Sequence, residues 1–241
     1  LPLLQEPTIQ YAWGYRGEEP SQFLFDRVSL SRSDLGHPRD DFYLHFPDFF
    51  SNKNFSNILA LANVSGIILH KDTNRNPFNQ QSISDYASAI HSWKDISEVR
   101  SSGQLDIYTL PKQKINDWMH AVEKVEVVDS IKEGMNKMIE NDFNPQATGV
   151  VIASQNITLP SFKTSMKNPK LSYKKISPSH YKVYVQQVTK PFVLILSVSF
   201  STLWEARINE EVVPDHFEIN GFANGWLIKE KGDYNIDIRF N

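Results

Sequence analysis

A chain of 241 residues, 40% of them hydrophobic, is long enough for one large or two small domains and can fill their cores. Its formal net charge of −3 and sequence pI of about 6.2 weigh against nucleic acid as a partner. The lack of cysteine excludes disulfides, thiol catalysis and thiolate metal sites, and no apolar run approaches the roughly 18 residues of a membrane span.

Residues 1–53 are aromatic-rich and irregular, broken by Pro2, Pro7, Pro20, Pro38 and Pro47. Residues 40–46 suit a short strand. Asp40, Asp41 and Asp48 read as a solvated acidic loop rather than a carboxylate site, because nothing fixes their geometry. Phe55 to Ala62 suits a helix, and Val64 to His70 a turn into a buried strand. Asp72 to Asn76 imitates the start of a calcium loop. Pro77 and Ile83 stand where that loop needs Gly and Glu, so a plain Asn-rich loop is expected. Ser82 and Asp85 make a capping-box start, and Ile83, Tyr86, Ala87 and Ile90 follow at helical spacing. Gly103 leads into a strand over 105–110, closed by Pro111.

Trp118 to Val128 reads as one long strand. Ser130 and Glu133 form a second capping box before the helical face Ile131, Met135, Met138 and Ile139, with Gly134 costing about 1 kcal/mol relative to Ala. Asp142 to Pro145 ends that helix, and Thr148 to Ala153 is a strand. The Lys163, Lys167, Lys170, Lys174 and Lys175 segment reads as a solvated basic loop, with contact to anionic lipid headgroups as its alternative. Tyr181, Val183 and Val185 alternate with polar residues, as do Trp204, Ala206 and Ile208, and Tyr234, Ile236, Ile238 and Phe240. Phe192 to Leu196 is an unbroken apolar run suited to a strand buried on both faces. Asn220-Gly221 and Asn224-Gly225 each mark a tight turn. About seven strands are expected after residue 148. The fold class is α+β: a small α/β region (1–112) packed on an antiparallel, jelly-roll-like β-sandwich (113–241) with one inserted helix.

One set of residues carries a resemblance. It comprises the Pro191-Phe192 start, the apolar strand ending near Ser197, Phe200, Trp204 and the Asn220-Gly221-Phe222-Ala223-Asn224-Gly225-Trp226 segment. Together they resemble the C-terminal extracytoplasmic domain of polytopic membrane glycosyltransferases of the GT-C type, including the arabinofuranosyltransferase-like group. The order of the α/β region before it, with Asn63-Val64-Ser65-Gly66-Ile67-Ile68-Leu69 and the 105–110 strand, is similar to that family too. The resemblance implies a domain on the extracytoplasmic face of the membrane, tethered in the full-length protein. It further implies the parent membrane domain as a partner, a glycan or lipid-linked sugar as ligand, and catalytic carboxylates outside this chain.

The residues themselves offer little chemistry. No Gly-x-Ser-x-Gly elbow, phosphate-binding Gly-rich loop or His-Glu-x-x-His occurs, and the seven histidines are scattered. No catalytic residue, metal site or cofactor is assigned. Glu205, Glu210, Glu211 and Glu218 lie close enough in sequence for a glycosidase pair, but Glu205 falls on the wet side of a strand and Glu210-Glu211 in its following turn. Sugar recognition uses an aromatic face flanked by amides, and Asn220, Phe222, Asn224 and His216 offer those groups beside Trp226. Set against this, Trp204 and Trp226 suit the sandwich core, with the Asn residues holding turns. Asn54, Asn63 and Asn156 each open an Asn-x-Ser/Thr triplet. Two functions follow: an extracytoplasmic accessory domain that positions a glycan, or a structural or protein-interaction module of a surface protein with no sugar site.

Overall fold

The computed structural model describes residues 9, 10, 12, 14, 16, 17, 42, 45–72, 82–96, 98–153 and 169–241. It is a β-rich α+β fold built mostly from antiparallel sheets, with a few helices. Near the N-terminus, β1 (Ile9–Gln10) pairs with β2 (Arg16–Gly17). Phe42 and Phe46 have helical backbone where a strand was expected, because α1 (Phe46–Phe49) starts with Pro47 in its first turn, where a fixed φ and a missing N–H cost nothing. The rest of the 40–46 expectation, Asp40 and Asp41 included, lies outside the described residues. So do the calcium-like loop after Asp72, Lys163, Lys167 and Asn156.

Helix α2 (Phe55–Leu61) buries Phe55, Ile58, Leu59 and Leu61. It leads into β3 (Gly66–His70), the edge of a three-stranded sheet ordered β3-β5-β4, with β4 at Glu98–Ser102 and β5 at Leu105–Thr109. The capping box of α3 (Ile83–Ser92) forms as expected: the Asp85 amide donates to Ser82 Oγ at 3.1 Å, and the Ser82 amide donates to the Asp85 carboxylate at 2.7 Å. Strand β4 carries a single apolar residue, Val99, so no period-2 pattern announced it. It forms because Gly103, at φ +59, turns it back onto β5.

The single strand expected over 118–128 is two strands in different sheets. Strand β6 (Met119–Val122) joins the sandwich, while β7 (Lys124–Val128) pairs in parallel with β8 (Thr148–Ile152). The chain pivots at Glu123 and Lys124, whose amides both donate to the Ala147 carbonyl at 2.9 and 3.0 Å. Between β7 and β8 lies α4 (Ile131–Met138). Ser130 caps it through the Glu133 amide at 3.2 Å, but the Glu133 carboxylate accepts from the Asp129 amide rather than from Ser130, one residue short of the expected box.

Two antiparallel sheets face each other over the rest of the chain. One has the order β13-β12-β16-β10-β9 and the other β14-β15-β11-β6. Their residue ranges are β9 Lys170–Ser177, β10 His180–Val188, β11 Phe192–Leu196, β12 Trp204–Ile208, β13 Glu211–Val212, β14 His216–Ile219, β15 Ala223–Ile228 and β16 Gly232–Phe240. The nine strands from Thr148 onward exceed the expected seven by β13 and β9. The Lys170–Lys175 segment is therefore an edge strand rather than a loop: Leu171 and Tyr173 pack inward while its lysines stay exposed.

The four-stranded sheet is covered on both faces. Met119, Leu194, Leu196, Trp226 and Ile228 face Tyr181, Val183, Trp204, Ala206, Ile236 and Ile238 of the opposite sheet. Val122, Val193, Ile195, Phe217, Ile219 and Leu227 join a second core with α1 to α4 and the three-stranded sheet. All five residues of β11 are accordingly buried, each worth about 1.5–3 kcal/mol of apolar burial. The β7–α4–β8 unit belongs to this second core, so the helix inserted within residues 113–241 packs against the N-terminal region.

Candidate functional site

Asn220, Phe222, Asn224 and His216 come together with Trp226 at the β14–β15 hairpin, and their side chains face inward. Asn220 and Gly221 have φ of +58 and +79, the left-handed backbone that a tight turn needs, and the Phe222 amide closes the turn onto the Ile219 carbonyl. Asn220 is 1% exposed. Its amide donates to the Val150 carbonyl at 2.7 Å, and its Oδ1 accepts from the Val150 amide at 2.9 Å. One residue thus ties the hairpin to β8 as a strand neighbour would. Gly221 has no room for a side chain, since a Cβ there would run into Ile131 of α4 and Phe42.

The second Asn-Gly pair is not a turn. Asn224 and Gly225 lie inside β15, where Gly225 accommodates the Phe217 ring, 2.9 Å from where its Cβ would stand. Asn224 is 0% exposed and spends its whole amide internally. Its Nδ2 donates to the Val198 and Ser199 carbonyls at 3.0 and 3.2 Å, and its Oδ1 accepts from the Ser201 amide at 3.2 Å. The same oxygen meets His216 Nε2 at 3.1 Å, which makes that nitrogen the donor. The His216 ring stacks on Trp226 with centroids 4.6 Å apart and planes 8° from parallel, and Phe200 closes the other side at 5.2 Å. Burial pushes the His216 pKa down, against the opposing pull of its bond to Asn224.

Phe222, 8% exposed, packs on Phe42 at 5.2 Å and starts a run of ring contacts through Phe46 and Phe55 to Trp93. Its carbonyl accepts from the Phe200 amide at 2.6 Å. Trp226 is 0% exposed and Trp204 7%, so both fill the sandwich core. Trp226 Nε1 is buried without an acceptor among the described residues, a cost of about 1–3 kcal/mol that the burial of the ring offsets.

The carboxylates do not assemble. Glu205 pairs with Arg207 at 2.6 Å on the wet face of β12, Glu210 lies in the β12–β13 turn at φ +68, and Glu211 begins β13 rather than sharing that turn. Asp48 lies near Lys132 and His45 on the surface. No group of three His, Asp or Glu residues among the described ones could hold a metal ion, and no helix among them is long and apolar enough to cross a membrane. Asn54 of the first glycosylation triplet is buried, with its Nδ2 donating to the Ile139 carbonyl at 2.7 Å.

Sequence reasoning missed a polar cluster on β6. His120 Nδ1 donates to the Asp117 carbonyl at 3.0 Å, and its Nε2 accepts from Asn116 Nδ2 at 3.2 Å, which itself also donates to the Pro145 carbonyl at 2.8 Å. The bond accepted from Asn116 requires a neutral ring, and burial lowers the His120 pKa to about 4 against the opposing pull of the Asp117 carbonyl. Only the recurrence of Asn116 and His120 at the start of a strand hinted at this. Phe200 was noted as part of the motif, while the role of its backbone in the loop over 198–201 had no sequence signal.

Compared with protein-family models, with curated proteins and with solved structures, the chain matches none.

Proposed function

We propose that this chain is a non-catalytic accessory domain of a membrane glycosyltransferase-like protein, tethered at the extracytoplasmic face and contacting a glycan or lipid-linked sugar. One observation supports the reading. The residues that carry the resemblance are scattered from Pro191 to Trp226 yet meet in a single knot: Asn224 holds the 198–201 loop, Phe200 bonds Phe222, and His216 lies between Phe200 and Trp226. A motif whose polar groups are consumed in this way marks a fold rather than a reaction, consistent with chemistry carried by a parent membrane domain. The sandwich is read as jelly-roll-like, because among its eight principal strands the third pairs with the eighth (β10–β16) and the fourth with the seventh (β11–β15).

The test is topology. With an epitope inserted in the exposed Asn209–Glu210 turn of the complete gene product, the tag should sediment with membranes and be accessible to antibody on intact cells. A tag in the soluble fraction, or one reached only after permeabilisation, overturns the reading. A second reading, a structural or protein-interaction module with no sugar site, is favoured by the internal satisfaction of Asn220 and Asn224. It predicts a membrane-bound, surface-exposed chain that binds no glycan.

A further inference from the structure

Charge is segregated along this chain. Residues 143–204 contain seven lysines and no Asp or Glu, so all 28 carboxylates lie elsewhere. The fold gathers three of those lysines on the outer face of the five-stranded sheet. Strand register places Ser172, Tyr184 and Asn235 in one row across β9, β10 and β16. Lys174 and Lys182 form the row on one side, and Lys170 and Gln186 the row on the other. With period 2, all seven point away from the core that Tyr181, Val183, Val185 and Ile236 fill.

Tyr184 is 41% exposed, one of two such open large aromatic residues among the described ones, with Phe240 at 43%. Ser172, Asn235, Gln186 and the three lysines are exposed as well. Among the described residues, none of the seven side chains makes a hydrogen bond or ion pair. Two carboxylates share this face: Asp237, opposite Lys182 in its row, is held by Arg239 at 2.6 Å and His180 at 3.1 Å, and Asp233, two residues before Asn235, accepts from the Gln187 amide at 2.8 Å, so neither is bonded to a lysine of the face. An exposed ring offers a pyranose its C–H face, free amides and a hydroxyl offer bonds to sugar hydroxyls, and unpaired lysines favour an anion.

We propose that this face, centred on Tyr184, binds an anionic glycan. The inference rests on the glycan-contacting reading above and moves the contact from the buried hairpin to the outer sheet. A face about 10 Å across three strands suits a polysaccharide chain. A phosphate-tracking nucleic-acid groove would need a longer run of cations. Ile176, 47% exposed after Lys174 and Lys175 on β9, is a lone apolar side chain at the edge of this face, fewer than a lipid surface would need, and a vesicle arm in the test separates the two.

The experiment is isothermal titration of the whole chain with oligogalacturonate and, separately, with a neutral galactan. The expected result is binding to oligogalacturonate that weakens as salt rises and falls at least tenfold in Tyr184→Ala. Tyr184→Phe should retain most of it, and Lys174→Ala/Lys182→Ala should weaken binding and flatten its salt dependence. Unchanged melting temperatures certify the variants, and if Tyr184→Ala melts early the lysine pair and Asn235→Ala carry the test. Oligogalacturonate binding that survives both Tyr184→Ala and the lysine changes overturns this inference while leaving the glycan reading intact. Preference for neutral galactan at Tyr184 overturns the anionic assignment. Binding to phosphatidylglycerol vesicles without binding to oligogalacturonate replaces the glycan with a lipid surface. No binding to either glycan overturns both the inference and the reading beneath it.

Discussion

The two cores on either side of the four-stranded sheet are filled by different rules. On the sandwich side, side chains arrive at every second position of regular strands, mostly aliphatic and flanked by Trp204 and Trp226. On the other side, rings converge from distant segments: Phe42 and Phe46 from the N-terminal region, Phe55 and Trp93 from two helical segments, and Phe222 from the hairpin turn. The sandwich core is thus written in local periodicity, whereas the aromatic core depends on a few specific joints. The 220–226 segment serves both, with Trp226 on one side of the sheet and Asn220, Gly221 and Phe222 on the other.

Removing the largest side chain on the sandwich side gives the largest expected effect. Trp226→Ala should destabilise the chain by roughly 3–5 kcal/mol in urea denaturation, the usual cost of deleting a buried large aromatic. A change below about 1 kcal/mol would show that the ring is not core.

At the joint with the aromatic core, Asn220→Ala leaves the Val150 amide without its acceptor and keeps a left-handed backbone unsuited to Ala. The expected loss is about 2–3 kcal/mol. Asn220→Gly relieves the backbone and should cost about 1 kcal/mol less. Equal losses in the two variants would remove the backbone from the account.

The pH dependence should be milder. The His120 pKa is about 4 in the folded chain against an ordinary value near 6.5, and His216 is also shifted down. As pH falls, the unfolded chain takes up protons first. The stability is therefore fully present above about pH 6.5 and declines toward pH 4, where His120 itself protonates, by about 2 kcal/mol after allowance for the ring's partial exposure. His120→Gln should flatten much of that slope in denaturation series between pH 7.5 and 4.5. An unchanged slope would place the titration elsewhere. The smallest effect belongs to Glu205→Gln, a half-exposed ion pair with Arg207, expected within about 0.5 kcal/mol of the parent and without influence on any glycoside hydrolysis.

The same comparison explains what was legible in the sequence. Strands with alternating residues, such as β10, β12 and β16, announce themselves, because one wet face and one dry face impose period 2. The capped helix α3 is equally plain from Ser82 and Asp85. Strand β4, with Val99 alone, and edge strand β9, with lysines on both its faces, lacked the contrast that periodicity needs. The break between β6 and β7 was invisible because Val125 and Val127, alternating with Lys124 and Glu126, continue the strand pattern begun at Trp118, while the pivot is made by backbone amides bonding Ala147. At the candidate site, Asn-Gly correctly marked the turn at 220–221. At 224–225 the same dipeptide serves a strand, its glycine making room for Phe217 and its amide reaching a loop more than 20 residues earlier. Composition identified groups able to bind a sugar, and only the tertiary structure shows those groups bound to the chain itself.

The most direct test of that central claim is equilibrium urea denaturation of Asn224→Ala. Its amide holds the Val198 and Ser199 carbonyls, the Ser201 amide and His216 Nε2. Orphaning these groups should lower the unfolding free energy by about 2–4 kcal/mol with no sugar present. An unchanged midpoint, joined to loss of glycan binding, would instead make Asn224 a ligand residue and contradict the account.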